Sequence, residues 1–411
     1  MSSAAESAPA RDADVLVLGA SFAGIEVVYQ LHRMLADRPP RIVVVDRERE
    51  HGYLPLQQER LVGALPPEQS CLRSAAYIES LPRARFVQGE IVGLSLEQRA
   101  VELADGRRIT ARTIVVALGS ELAPPPGLPG GSRLFAHKRP SDFVALQAAL
   151  DERLAGEGEP VPVVVVGGGI TGVELAAELA ALAGRGPGRW RAPKVTLVGS
   201  EARLVPNLRP NIAARVARIL AAAGVDVRLS TRVTAVEPDA VELETAGARE
   251  RVPCALAMWA GGIRPAPLLA TLGLPTTAAG WLSVGPTLQC FARSTPTFPW
   301  LFACGDAVRI AGGAGEWPTM QRAIECLWQA KLVARNLVTL LAEPDGEGGV
   351  VPPLRPHRLR RGFAYGVSLG HRALVLWGRL CVDLPRINRW FRRWLMRQYF
   401  ARYEPLPPPP S

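Results

Sequence analysis

Two stretches of this chain, VLVLGASFAGIE at Val15 to Glu26 and VVVVGGGITGVE at Val163 to Glu174, share one design, a glycine-rich turn between an apolar β-type run and helix-forming residues. A turn of this design suits one chemistry, the holding of a pyrophosphate. The first glycine (Gly19, Gly167) permits the tight turn. The middle position (Ser21, Gly169) lies closest to the phosphates, and the last glycine (Gly24, Gly172) lets the helix pack on the strand. The helices opening at Phe22 and Ala23, and at Ile170 and Thr171, then turn free N–H groups and a positive dipole end toward the anion. Glycine clusters also mark ordinary turns. Two copies, each at a strand-to-helix junction, point to two bound dinucleotides.

Beyond their helices the two copies differ. The first leads into RIVVVDRE, which sets Asp46, with Arg47 beside it, at the end of a second strand. A carboxylate about 20 residues past the motif accepts the hydroxyls of an adenosine ribose. Copy one therefore reads as a site for FAD or NAD. The second leads into KVTLVGSEARLVP, where the matching strand end is Gly199 and the nearest acid is Glu201. Its choice between NADH and NADPH stays open.

The elements that must position these residues run in a nested order. A chain of 411 residues, 48% of them hydrophobic, has room for two or three domains and a large core. The first nucleotide domain is expected over 12–122, ending in RTIVVALGS at Gly119. APPPGLPGG links it to a helical stretch, SDFVALQAALDERL, and to the second nucleotide domain over 160–285, which closes on Gly261. The strand PWLFACGDAV returns the chain to the first domain over 286–342, with Gly305 and Asp306 at its end; the other reading of Asp306 is a helix N-cap. A Pro/Gly/acidic linker precedes a last domain over 352–411. The fold class is α/β: two Rossmann-like dinucleotide-binding domains, the second inserted in the first, plus a C-terminal domain ending in an amphipathic helix.

Other classes recede. The start has no basic and apolar leader pattern and reads as a cytosolic tail. No apolar run is long enough to span a bilayer. Six scattered cysteines and five histidines show no ligand spacing, so no metal is expected. A net charge of +10, mainly from arginine, draws the chain to anionic surfaces rather than marking a nucleic-acid binder.

Taken together, GASFAG with VVVDRE, the stretch YLPLQQERLVGALPPEQ, VVALGS, GGGITGVELAAEL, MWAGGIRPAPLL, LFACGDAV and PTMQRAIECLWQAKLVARN resemble the flavin-dependent pyridine nucleotide oxidoreductases of the glutathione-reductase-like plan. Within them the chain is most similar to the type II NADH dehydrogenases. The resemblance implies FAD on Gly19, Ser21, Gly24, Asp46, Gly119, Gly305 and Asp306, and NAD(P)H on Gly167, Gly169, Gly172, Glu201 and Gly261. It also implies Glu174 near nicotinamide and flavin, the alternative for Glu174 being a first-turn surface residue favoured by the helix dipole. Disulfide reductases of this plan carry a cysteine pair early in the chain, and Gln57 to Gln69 contains none. Hydride from NAD(P)H to the flavin and two electrons onward to a quinone is the expected reaction.

The chain departs from those dehydrogenases after Asp306. Where they carry two glutamines beside the quinone, it has Gln321 followed by Glu325 and Cys326. Glu325 is expected either as a proton donor raised by burial or as a solvated residue. Cys326 keeps a sulfide:quinone reductase open, and a regulatory flavoprotein akin to the apoptosis-inducing-factor relatives is the alternative from another class. Near the C-terminus, Ile387, Trp390, Phe391, Trp394, Leu395 and Tyr399 share one helical face, and Arg386, Arg389, Arg392, Arg393 and Arg397 fill the rest. Such a helix is expected to lie on an anionic membrane surface, with the protein peripheral on the cytoplasmic side of the inner membrane, otherwise cytoplasmic. The other reading is a helix docked on its own domain or on a second copy in a homodimer.

Overall fold

The computed structural model describes residues 11–182, 190–291, 298–312, 315–317, 321–342, 353–358, 365–383 and 387–407. The strand Ala13–Leu18 lies at the centre of a mixed sheet, paired in parallel with Ile42–Asp46 and Arg108–Val116. Ala84–Gln88 extends the sheet on one side in parallel, and Leu301–Ala303 joins Arg108–Val116, again in parallel. Leu16, Val17, Leu18, Val44, Val45 and Val115 are fully buried. Parallel strands covered on both faces require such unbroken β-branched runs. The first-turn helix, Phe22–Met34, packs along the long helix Ala323–Leu341.

A second, wholly parallel sheet repeats the pattern in the order Asp226–Arg228, Pro193–Val198, Val161–Val166, Leu256–Trp259. Its second-turn helix, Ile170–Ala180, buries Leu175, Ala176 and Leu179. Two strand-to-helix turns, one on a mixed sheet whose central strands are parallel and one on a wholly parallel sheet, give the expected α/β class. The stretch after Asp46 winds into the short turn Leu54–Leu56 and the helix Gln57–Leu61, all five of whose residues are buried.

At the C-terminal end, Tyr365–Leu369, Arg372–Trp377 and Leu380–Asp383 form an antiparallel sheet. Val367, Leu369, Leu374 and Leu376 join the core around the second-turn helix. The C-terminal helix runs over Ile387–Ala401. Its orientation corrects the expectation. Arg389, Arg392 and Arg393 point inward to Glu178, Glu174 and Glu59, because those carboxylates are buried and need partners. Tyr399 leaves the supposed apolar face and is buried with Met396 and Tyr403, while Trp390, Phe391, Trp394 and Leu395 stay exposed. Arg386, the side chain of Ile387 and the linker 343–352 lie outside the described residues. Among the described residues no helix is long and apolar enough to cross a membrane.

Candidate functional site

The two glycine-rich turns are built alike. A methyl on Gly24 would stand 1.8 Å from the Gly19 carbonyl oxygen, and one on Gly172 would stand 1.9 Å from that of Gly167. Gly19 and Gly167 hold φ of +105° and +128°, and a methyl on either would meet the backbone of Ala117 or Ala260. The middle positions are the opposite: a methyl on Gly169 meets nothing within 4 Å, and Ser21 caps its helix without a side-chain hydrogen bond. Glycine there serves no internal packing. The open cradle at Gly169, and the turn at Ser21 whose hydroxyl does not cap its own helix, each stand at a helix N-terminus and fit a pyrophosphate. At Ile170 and Thr171 the chain is only partly covered. Ala23 and Phe22 are buried, and the Phe22 ring packs 5.1 Å from both His51 and Tyr399.

Asp46 ends its strand beside the first turn. Its carboxylate accepts the Ala20 N–H at 2.6 Å and the Glu48 N–H at 3.0 Å, and burial pushes its pKa up. Arg47 points toward Glu121 at 3.9 Å and is half exposed. Beside the second turn, the Glu201 carboxylate lies 3.4 Å from where a methyl on Gly199 would stand and 3.6 Å from one on Gly168. It therefore hangs at the strand end where an acid meets a ribose. A methyl on Gly261 would press on the Trp259 ring at 2.6 Å.

Asp306 does not cap the long helix, which starts at Ala323 with Arg322 as its cap, so the N-cap reading fails. Instead the carboxylate gathers groups from three segments. Ser120, next to Gly119 (φ +67°), donates to Oδ2 at 3.0 Å; Lys138 Nζ lies 3.5 Å from the same oxygen and donates to Ser120 Oγ; and Cys326 Sγ donates to Oδ1 at 3.5 Å. Gln321 donates to the Asp306 carbonyl at 3.2 Å. Gly305 takes φ +83° and donates its N–H to Gln329 Oε1 at 2.8 Å. Burial and the neighbouring Asp306 hold the Cys326 thiol well above its usual pKa, so it stays protonated and unreactive.

Glu174 sits in the second turn of its helix rather than the first, and it is buried rather than on the surface. It accepts from Gln58 Nε2 and, at 2.7 Å, from the Ser368 N–H, with Arg392 3.7 Å away. Burial raises its pKa against the pull of Arg392. Glu325 is likewise buried, not solvated. Its Oε1 lies 2.7 Å from His357 Nε2 and accepts from Gln329 at 3.2 Å. Gln321 and the Glu325–His357 pair thus flank the Gly305–Asp306 turn, whereas Glu174 belongs to the other sheet.

Sequence reading missed Ser120, Lys138, Gln58 and His357. Each reaches the site across more than 15 positions of chain, a contact that the quoted segments around Ser120 and Gln58 do not themselves specify. His51, whose ring joins Ser74 Oγ at 2.9 Å and Tyr399 OH at 3.1 Å, was equally silent.

The family described as pyridine nucleotide-disulphide oxidoreductase matches residues 13–330. The type II NADH:quinone oxidoreductase of Haemophilus influenzae is 29% identical over 369 residues, spanning 80% of this chain and 80% of that protein. A demethylphylloquinone reductase of Synechocystis sp. is 26% identical over 351 residues, spanning 81% and 83%. Among solved structures, the sulfide:quinone oxidoreductase of Aquifex aeolicus has a TM-score of 0.77 at 18% identity, covering 95% of this chain and 91% of that one. NDH2 from Plasmodium falciparum in complex with NADH also has a TM-score of 0.77, at 13% identity and 96% coverage of each chain. At these identities the solved structures speak for the fold alone.

Proposed function

The chain belongs to the pyridine nucleotide-disulphide oxidoreductase family, and we propose that it is an FAD-dependent NAD(P)H:quinone oxidoreductase of the type II NADH dehydrogenase kind. It passes a hydride from NAD(P)H to FAD and two electrons onward to a quinone, without pumping protons. The observation that carries this reading is the pair of glycine-rich strand-to-helix turns on two separate sheets, combined with the lack of cysteine between Gln57 and Gln69. Gly19, Ser21, Phe22, Ala23, Gly24, Asp46, Arg47, Gly119, Gly305 and Asp306 hold FAD. Gly167, Gly169, Ile170, Thr171, Gly172, Glu201 and Gly261 hold the nicotinamide nucleotide, and Glu201 favours NADH by accepting from an unphosphorylated ribose. When bound, FAD supplies the redox chemistry. Lys138 and Ser120 fix the Asp306 carboxylate, and Gln58 fixes Glu174 on the donor side. Gln321 and Glu325 face the acceptor. The sulfide reading needs a reactive thiol, which the bonded, protonated Cys326 does not offer.

A quinone with a long apolar tail stays in a bilayer, so its reductase gains by standing at the surface. The exposed Trp390, Phe391, Trp394 and Leu395 are the side chains that enter the headgroup layer. The central test is spectroscopic. The purified protein should be yellow, release FAD on denaturation, bleach with anaerobic NADH and regain its colour with a soluble quinone. A protein that bleaches but is not reoxidised by any quinone would be a sensor rather than this enzyme.

A further inference from the structure

A quinone becomes a quinol by taking up two electrons and two protons. The hydride of NAD(P)H brings two electrons and one proton equivalent, so one further proton must come from solvent for each turnover. We infer that His357 and Glu325 deliver that proton, Glu325 as the donor at the acceptor side and His357 as the group that recharges it. The inference rests on the quinone reading above and deepens it.

The geometry is that of a short wire. His357 belongs to the segment 353–358, whose Arg355, Pro356 and Arg358 are exposed while the imidazole itself is buried. The segment is stitched down: Asn336 donates to the carbonyls of Arg355 and Thr287, accepts the Arg355 N–H at 2.9 Å, and the His357 N–H donates to Pro286 at 2.7 Å. From this fixed position His357 Nε2 lies 2.7 Å from Glu325 Oε1, in contact but not aligned as a hydrogen bond, with side-chain exposures of 4% and 1%. Glu325 Oε1 also accepts from Gln329, whose own carbonyl oxygen accepts the Gly305 N–H. One end of the chain thus meets exposed backbone and the other meets the Gly305–Asp306 turn.

The other carboxylate oxygen gives the pair its direction. Glu325 Oε2 is buried and has no hydrogen-bond partner among the described residues. A buried acceptor without a partner costs about 1–3 kcal/mol, a cost that a purely structural ion pair has no reason to retain. In the transfer, the O–H bond of Glu325 breaks as an O–H bond forms on the quinone oxygen. The carboxylate then takes a proton from the His357 imidazolium, which regains one from water at the exposed segment. No oxidant or reductant beyond NAD(P)H and the quinone is needed.

The test separates donor and acceptor half-reactions by stopped flow on the FAD-loaded protein, using a soluble quinone. In Glu325→Gln, which preserves shape, the ratio of flavin reoxidation to flavin bleaching should fall about 100-fold, the scale of general acid catalysis. In His357→Ala the same ratio should fall and be restored by added imidazole, which refills the gap left by the ring. Independently of turnover, the infrared difference spectrum between reduced and oxidised protein should contain a carboxylic acid band that Glu325→Gln lacks. An unchanged ratio in both variants, or a His357→Ala defect that imidazole leaves untouched in a protein of native melting temperature, overturns the relay. Absence of quinone reoxidation in the unmodified protein would instead overturn the quinone reading itself.

Discussion

Glu26 and Glu174 occupy the same position in the two glycine-rich turns, two residues past the packing glycine, and both are buried. Each is held by the C-terminal region, but through different groups. Glu26 accepts from Tyr403 OH, from Arg402 at 3.3 Å and from Gln30 at 2.7 Å, all within a wall of aromatic rings. Glu174 instead binds Gln58, the Ser368 backbone and Arg392, so its partners come from the helix after Asp46, the C-terminal antiparallel sheet and the C-terminal helix. The repeated turn fixes the backbone and the glutamate; the surroundings decide what the glutamate does. At Glu26 it anchors the chain end. At Glu174 it joins the stretch after Asp46 to the second turn.

The largest effects should fall on the packing glycines, where a methyl has no room in either copy. Gly24→Ala and Gly172→Ala should each lower stability by about 3 kcal/mol, the upper part of the overpacking range. They should nonetheless part in function. The first should cost the protein its FAD, and the second should leave it yellow but unbleached by NADH. Flavin content after gel filtration, with urea melts alongside, reads both. If both variants lose the flavin, the two turns do not serve separate nucleotides.

Next come the glutamates themselves. Removing Glu174 strands the largely buried Arg392, a cost of about 3 kcal/mol for a buried pair, and removing Glu26 strands the buried Tyr403 hydroxyl, a cost of about 1–3 kcal/mol, so both Glu26→Ala and Glu174→Ala should melt early. Only Glu174→Ala should slow bleaching by NAD(P)H per bound flavin. Equal bleaching rates in the two would make Glu174 a clamp like Glu26 and nothing more.

Much of this was open to a reader of the sequence, and the boundary is physical. The turns, the strands before them and Asp46 are written locally, because a tight turn and a β-branched run constrain neighbouring positions. Glu174 was legible as a residue of the second turn but not as a buried one, since its three partners lie 116, 194 and 218 positions away. The C-terminal helix misled in the same way. Its arginines look like a lipid-facing stripe until Glu59, Glu174 and Glu178 are known to be buried beneath it, and burial of a carboxylate is a tertiary fact.

Two histidines sharpen the comparison through pH. Burial pushes both His51, beside the first turn, and His137, in the connection to the second, down to about 4. The unfolded chain takes up protons below about 6.5, the folded rings only near 4, so stability is full above that window and falls as pH drops through it. Each ring accounts for about 3 kcal/mol across the window. They differ in bonding: His51 is joined at both nitrogens, whereas neither nitrogen of His137 has a hydrogen-bond partner among the described residues. His137→Leu should therefore flatten the acid limb of the melting profile without loss at pH 7. His51→Leu should flatten it and lose stability at pH 7 as well. Matching behaviour at pH 7 would mean that the Ser74 and Tyr399 contacts hold nothing.

The smallest stability effect, and the sharpest test of the C-terminal helix, lies on its outer face. Truncating the chain before the helix would strand Glu26, Glu59, Glu174 and Glu178 together and so confound docking with unfolding. The combined change Trp390→Ser, Phe391→Ser and Trp394→Ser avoids this, because these rings are 66%, 44% and 42% exposed and carry no ion pair to the body. Surface changes of this kind shift stability by about 0.5 kcal/mol or less per site. Cosedimentation with anionic liposomes should nonetheless be lost, since aromatic area is what the headgroup layer takes up. Added salt should weaken binding of the unaltered protein only in part, because three of the helix arginines are already neutralised by carboxylates and Arg397 is left exposed to meet lipid phosphate. Undiminished pelleting of the triple variant would remove the helix from the membrane, and a shift from dimer to monomer in the same variant would assign its outer face to a second copy of the chain.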